Sequence, residues 1–388
     1  MKVIALSVLL LVLVIVPAAA QTSKSVQLTV TAVNRLKIAR QSETIELTAE
    51  TLAPLGEKDL IKIHVRDSAG KEVLAQAVDT DYDDFHKPDT LIFQADFGPQ
   101  QTKTFTLTAG AKREYSKEDF RAYGRFVRER FDDFAWENDR IAHRTYGKAL
   151  ITWKGEPLTS SAIDIWSKRT TKLVINDWYM VDNYHADQGE GVDAYSAGPT
   201  RGCGGSGIWS NGQLYIPTNF IDSRVLTNGP IRVMFELVYE PFDVNGVRVS
   251  QVLRVSLDAG SQLNRFRVSH QAPPGSESLA LAVGLKKVKE EQKEFNASRG
   301  WLTIWEPVEK NLGMQGLAVV VDPSTVENVS EDKLNHLVIL KPGVATPITY
   351  WAGFAWDRAG QITSAESWKS YVDQFSEKLR SPIEVTVK

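Results

Sequence analysis

Apolar and polar positions alternate in short runs from residue 26 to residue 107, at Val26, Leu28 and Val30, at Ile45 and Leu47, at Ile61, Ile63 and Val65, at Leu91 and Phe93, and at Phe105 and Leu107. A period of two is the signature of half-buried strands, and the stretch Asp67-Ser68-Ala69-Gly70-Lys71 between two of them carries a hairpin signal. Strands at this spacing predict a small β-sandwich over residues 26–113. After a charged stretch opened by Ser116 and Asp119, which has the form of a capping box, alternation returns in longer runs. Strands are expected at 225–239, 247–257, 264–269, 279–285, 302–305, 317–321, 336–340 and 346–356. One convincing helical stripe stands near the end, where Trp368, Tyr371, Val372, Phe375 and Leu379 share a face. So many strands with so little helix predict an all-β protein, with a large antiparallel double-sheet domain over residues 114–388 following the small sandwich.

The two ends change the picture little, but they give it a compartment. Met1-Lys2, an apolar run from Val3 to Val16 and Pro17-Ala18-Ala19-Ala20 form a signal peptide pattern over residues 1–20, with cleavage expected near Ala20. No cysteine follows the cleavage point to take a lipid, and no later apolar run is long enough to span a membrane, so a secreted or periplasmic protein is expected. The lone Cys203 permits no disulfide within the chain and reads as buried. A net charge of −3 without long like-charge blocks gives no nucleic-acid footprint. Ten tryptophans and eleven tyrosines supply ring faces that stack on sugars and that also fill sandwich cores.

Between residues 136 and 219 the aliphatic patterning lapses, and polar, aromatic and glycine residues crowd together as they do around sites. In the first cluster a strand over 140–146 would put Arg144 and Tyr146 on one face and His143 on the other. An arginine fork with a tyrosine beside it can hold a carboxylate and move a proton; the alternative is an ion pair of Arg144 with Glu137 or Asp139 beside a packed ring. In the second, His185 stands among Asp182, Asp187, Glu190 and Asp193 with flexible glycines. That set suits an oriented imidazole or a divalent cation such as calcium, and equally a solvated acidic turn. No cofactor is otherwise signalled. In the third, Arg201 lies in the glycine-rich run 198–207, either a wall that approaches a ligand closely or a tight turn. Glu236, inward on its strand, is either a core ion pair or a catalytic carboxylate, and His270 is a further acid or base.

The sequence resembles a bacterial family known as domain of unknown function 4861. The resemblance rests on Asp132-Asp133-Phe134-Ala135-Trp136-Glu137-Asn138-Asp139-Arg140-Ile141-Ala142, on Tyr184-His185-Ala186-Asp187-Gln188-Gly189-Glu190-Gly191, on Gly198-Pro199-Thr200 and on Asn228-Gly229-Pro230-Ile231-Arg232. It implies a mutarotase-like double sandwich, similar to that of polysaccharide lyases, and a setting of pectin and other polysaccharide utilisation.

The expectation is therefore a carbohydrate-active protein. Arg144, Tyr146, His185 and Arg201 are the candidate catalytic residues, converging on one cleft for β-elimination on a uronic-acid-containing glycan. Trp136, Trp178, Tyr184, Glu190, Trp209 and Glu236 are the candidate substrate-binding residues. Hydrolysis by paired carboxylates, with Glu190 and Glu236 as candidates, and glycan binding without catalysis on an aromatic platform are the alternatives.

Overall fold

The structure, a computed structural model, describes residues 26–80, 87–155, 158–274, 276, 278–343 and 347–388. The signal pattern at 1–20 lies outside the described residues. Among the described residues, no helix is long and apolar enough to cross a membrane.

Alternation along the first strands folds them into two facing antiparallel sheets. One runs in the order Glu384–Val387, Gln27–Val33, Thr102–Ala109, Ile63–Asp67 and Glu72–Val73; the other in the order Arg40–Thr48, Thr90–Phe97 and Ala75–Val78. Val30, Ile45, Ile63, Leu91, Phe93, Phe105 and Leu107 fill the space between them. The Phe93 and Phe105 rings meet edge to face at 4.9 Å. The last strand of the chain pairs with the first, Val30 opposite Val387, so residues 384–387 belong to this small sandwich and not to the large domain expected to run to 388.

The second body is built on an eight-stranded sheet, in the order Phe220–Asn228, Arg232–Val244, Val247–Asp258, Leu263–Gln271, Ile348–Trp356, Met314–Val320, Trp301–Pro307 and Gln292–Asn296. The single strand expected at 225–239 is two, because Gly229-Pro230 turns the chain and leaves Asn228 paired with Val233. Two five-stranded sheets pack against this one. The first holds Gly191–Val192, Asp164–Lys168, Ala142–Thr145, Asp133–Asn138 and Ala122–Val127; the second holds Gln213–Tyr215, Cys203–Ser210, Ala280–Lys286, Asn335–Leu340 and Val326–Glu331. Phe134, Ile163, Cys203, Phe235, Val255, Phe266, Val283, Leu317, Val338 and Tyr350 join all three in one core, and Cys203 is a buried free thiol.

The C-terminal helix, Ala365–Arg380, starts at Ser364, whose hydroxyl accepts from the Ser367 amide at 3.2 Å. Its apolar stripe packs on Trp301, Ala318 and Val320. The junction of the two bodies is tied by Gln76, whose side-chain oxygen accepts from the amides of Ile231 and Arg232 at 2.9 and 2.8 Å, and by Arg232 bridging Asp258 and Glu46.

Candidate functional site

The site is built on the first five-stranded sheet. Arg144 sits opposite Ala135 on one neighbouring strand and opposite Asp164 on the other, so the period of two puts Arg144 and Asp164 on the same face. Arg144 donates through Nε to Asp164 Oδ2 at 2.8 Å, and its Nη2 lies 3.0 Å from Asp193 Oδ2. Asp133 is further off, with Oδ2 3.8 Å from Nη1. Tyr146 donates its hydroxyl to the same Asp164 oxygen at 2.9 Å. The guanidinium is walled by rings, with Trp166, Tyr184 and Tyr146 centred 5.6, 5.7 and 5.8 Å from it. Neither Glu137 nor Asp139 pairs with it: Glu137 holds the buried Lys168 at 2.7 Å and Asp139 pairs with Arg121.

Glu137 also accounts for an element that periodicity did not signal. Its two oxygens accept from the amides of Val174 and Ile175 at 2.9 and 2.8 Å, where the short helix Ile175–Val181 begins. That helix and the loop after it lay Tyr179 and Tyr184 on Trp166, at 4.8 and 4.7 Å between ring centres, with half-buried Trp178 at 5.4 Å.

His185 is where this buried cluster reaches solvent, its side chain 58% exposed against 2% for Asp193. Its Nδ1 lies 3.3 Å from the Asp193 carbonyl oxygen and 3.4 Å from Asp193 Oδ2. Lys310 donates to the His185 carbonyl at 3.3 Å, and Arg130 donates to the Tyr184 hydroxyl at 3.1 Å. The Arg130 guanidinium also lies 5.0 Å from the Trp153 ring, which stacks on the 36% exposed Phe131 at 4.4 Å. Phe131 and Asp132 both hold positive φ, 53° and 65°, a conformation a bulky residue adopts only when its surroundings impose it.

Burial dominates the electrostatics. It pushes the carboxyls of Asp133 and Asp193 up to about 7 against the pull of Arg144. It opposes the Arg144 charge too, but Asp193, Asp164, Tyr146 and Asp133 together hold that guanidinium well above its ordinary value. Tyr146 is driven well above the usual phenol range by burial and by Asp164. His185 moves the other way: burial lowers it, the Asp193 carbonyl offsets part of this, and the Arg144, Lys310 and Arg130 cations lower it further.

Of the four residues expected to converge on one cleft, Arg144, Tyr146 and His185 come together here, with Tyr184 and Trp178 of the substrate-binding candidates beside them. Arg201 does not; it is fully buried in the core behind the second five-stranded sheet and bonds to Ser161 and Ser206. Trp136 is a core residue, because its strand turns it away from Arg144: it stacks on His143 at 5.3 Å and donates to Asn264 Oδ1 at 2.7 Å. Trp209 packs with Ala280, Ala282, Leu337 and Ile339 on the other sheet. Glu190 pairs with Lys172 at the surface, and Glu236 is clamped by Arg254 and Arg224 at 2.7 and 3.1 Å, the ion-pair alternative for it. His270 is bonded to Gln251 and pushed down to about 4 by burial.

Asp133, Asp164, Arg130, Phe131, Trp153 and Lys310 were not singled out from the sequence. An aspartate at the head of the otherwise apolar run Phe134-Ala135-Trp136 was the one signal available for Asp133. Among the described residues, no group of three or more His, Cys, Asp or Glu side chains is placed to hold a metal ion; Arg144 fills the centre of the one aspartate cluster at this site.

The fold is that of an all-β, multi-sheet sandwich protein, and it is shared with solved structures of low sequence identity. An α-mannosidase from Enterococcus faecalis V583 superposes with a TM-score of 0.53 at 11% identity over 93% of this chain, and a protein in glycosyl hydrolase family 38 from Enterococcus faecalis does so with 0.53 at 12% over 93%. This chain spans about half the length of those proteins, 46% and 47% of them. The chain belongs to the family described as "Domain of unknown function (DUF4861)", which it matches over residues 33–385. A protein of Formosa agariphila called "Uncharacterized protein P7" is 33% identical over 378 residues, covering 92% of this chain and 93% of its own.

Proposed function

We propose that this protein is a carbohydrate-active enzyme that cleaves a uronic-acid-containing polysaccharide or oligosaccharide by β-elimination, with His185 as the base. The observation that carries the reading is the placing of His185: an exposed imidazole whose Nδ1 faces the Asp193 carbonyl and carboxylate, in a loop otherwise anchored in a buried cluster. A proton held on Nδ1 by that carbonyl leaves Nε2 with a lone pair. The depressed pKa keeps the ring neutral, and so able to accept a proton, at neutral pH.

In the elimination, Nε2 takes the proton from the carbon α to the uronate carboxylate. The electron pair left behind forms the double bond to the β carbon, and the glycosidic oxygen leaves from that carbon and takes a proton from solvent water, which reaches the site at the exposed imidazole. Lys310, next to His185, is the cation beside the charge that grows on the carboxylate. Arg144 is assigned a different role from the one its residue type suggested. At 4% exposure, with three aspartates around it, it positions Asp193 and cannot reach a sugar. Tyr146, 2% exposed and bonded to Asp164, is likewise a positioning residue.

The fold shared with an α-mannosidase and a glycosyl hydrolase family 38 protein supports the carbohydrate class. Hydrolysis has less support, since Glu190 and Glu236 are held by cations on separate surfaces and the Asp133 and Asp193 carboxyls are 0% and 3% exposed. Binding without catalysis would rest on the exposed Phe131 stacked on half-buried Trp153 in place of Trp136 and Trp209. Incubation with a panel of pectic and related uronic-acid oligosaccharides, with and without chelator, separates the three. Elimination gives the absorbance of an unsaturated uronide; reducing sugar without that absorbance means hydrolysis, and affinity without product means binding alone.

A further inference from the structure

The glycine-rich run 198–207 serves no part of the site above, and its arginine poses a separate physical problem. Gly202 and Gly204 adopt φ of +59° and +97°, and the register against the neighbouring strand shifts between Cys203 and Gly205. Just before this bulge, the Arg201 side chain lies buried in the core. Room for it is made by the bare Cα of Gly284, where an added Cβ would stand 2.6 Å from Arg201 Cγ.

Inside, the guanidinium is 0% exposed and donates only through Nη1, to Ser161 Oγ at 3.1 Å, to the Ser206 carbonyl at 3.2 Å and to the Ser161 carbonyl at 3.4 Å. Among the described residues Nε and Nη2 have no partner, and neither has the hydroxyl of buried Tyr239, which lies near enough to the guanidinium to act on it electrostatically. Burial pushes Arg201 down to about 10, which still leaves it protonated at neutral pH. Among the described residues no carboxylate comes within ion-pair distance; Asp332 acts on it from further off and is itself bonded to Asn335. A buried arginine charge that keeps its proton and has unmet donors calls for a counter-charge.

We propose that the core of the large sandwich holds a small monovalent anion, a halide, between Arg201 Nε and Nη2 and the Tyr239 hydroxyl. Buried water could meet the hydrogen bonds but not the charge. A monatomic anion meets both, accepts from donors that converge at any angle, and needs little space. The proposal is independent of the reading of the His185 site.

Two measurements on the protein test it. The thermal midpoint, followed at fixed ionic strength while chloride replaces gluconate, rises by roughly 2 to 4 °C, because a ligand bound only by the folded state stabilises it. Crystals grown with bromide show an anomalous peak within hydrogen-bond distance of Arg201 and Tyr239. Tyr239→Phe removes one unpartnered hydroxyl, folds, and weakens the halide dependence about tenfold. Arg201→Met abolishes it. The native bromide crystal decides the matter if the variants fail to fold: no anomalous peak beside Arg201, or equal midpoints in chloride and gluconate, overturns the proposal.

Discussion

Replacing Asp133 by asparagine should make the protein more stable, and only above a certain pH. The Asp133 carboxyl is 0% exposed, neither of its oxygens accepts a hydrogen bond among the described residues, and its contact with Arg144 is a long one at 3.8 Å. Burial raises its pKa from 3.8 to about 7. Below the unfolded value both states are protonated and the group costs nothing. Between the two values only the folded state holds the proton, so each pH unit removes about 1.4 kcal/mol of stability. Above the folded value both states are ionised and the full cost stands, three units or about 4 kcal/mol. Asn keeps the shape and has no charge to bury. The gain from Asp133→Asn is therefore near zero at about pH 4, grows by about 1.4 kcal/mol per unit, and levels off near 4 kcal/mol above about pH 7. Urea unfolding of both proteins across that range measures it. A difference that does not vary with pH, or a variant less stable than wild type at about pH 8, would refute the reasoning. Such a cost is kept where the ionised group is needed, which fits a functional cluster better than a plain core.

Glu137→Ala strands the Lys168 ammonium at 0% exposure and unbinds the amides of Val174 and Ile175, so the urea midpoint should fall by the equivalent of about 3 to 5 kcal/mol. Gly316→Ala puts a Cβ 2.4 Å from Trp368 Cδ1, and overpacking there should cost about 1 to 3 kcal/mol in thermal unfolding. If His185 is the base, the rate changes with pH through two ionisations, that of the Asp193 carboxyl, pushed up to about 7, and that of His185, below the ordinary imidazole value. Lys310→Ala, by removing one of the cations that depress His185, moves the His185 ionisation upward; an unmoved profile counts against the assignment.

Local pattern and long-range geometry were not equally legible in this chain. The stripe from Trp368 to Leu379 announced its helix because one face was apolar at helical spacing, and the structure caps it at the serine just before. The helix Ile175–Val181 was hidden, since it is too short for a period and its start is held by Glu137, a residue far away in the chain. The four residues 384–387 had nothing local to mark their partner, which is the first strand of the protein. At the site, parity placed Arg144 and Tyr146 together, and the density of polar residues marked the His185 loop. What a single sequence could not supply was depth. Trp136 and Arg201 have the residue types of a binding site but point into the core, whereas Asp133, Asp164 and Asp193 form a cluster only after three strands and a loop are paired.

The central claim is that His185, held by Asp193, carries the proton in an elimination. It is tested most directly by comparing wild type with His185→Ala on the first uronic-acid oligosaccharide found to yield an unsaturated product, at equal folded concentration established by circular dichroism and thermal unfolding. The fold should be unchanged, since the side chain is 58% exposed, and turnover lowered by about 100-fold or more. A folded His185→Ala protein that forms the unsaturated product at the wild-type rate would contradict it.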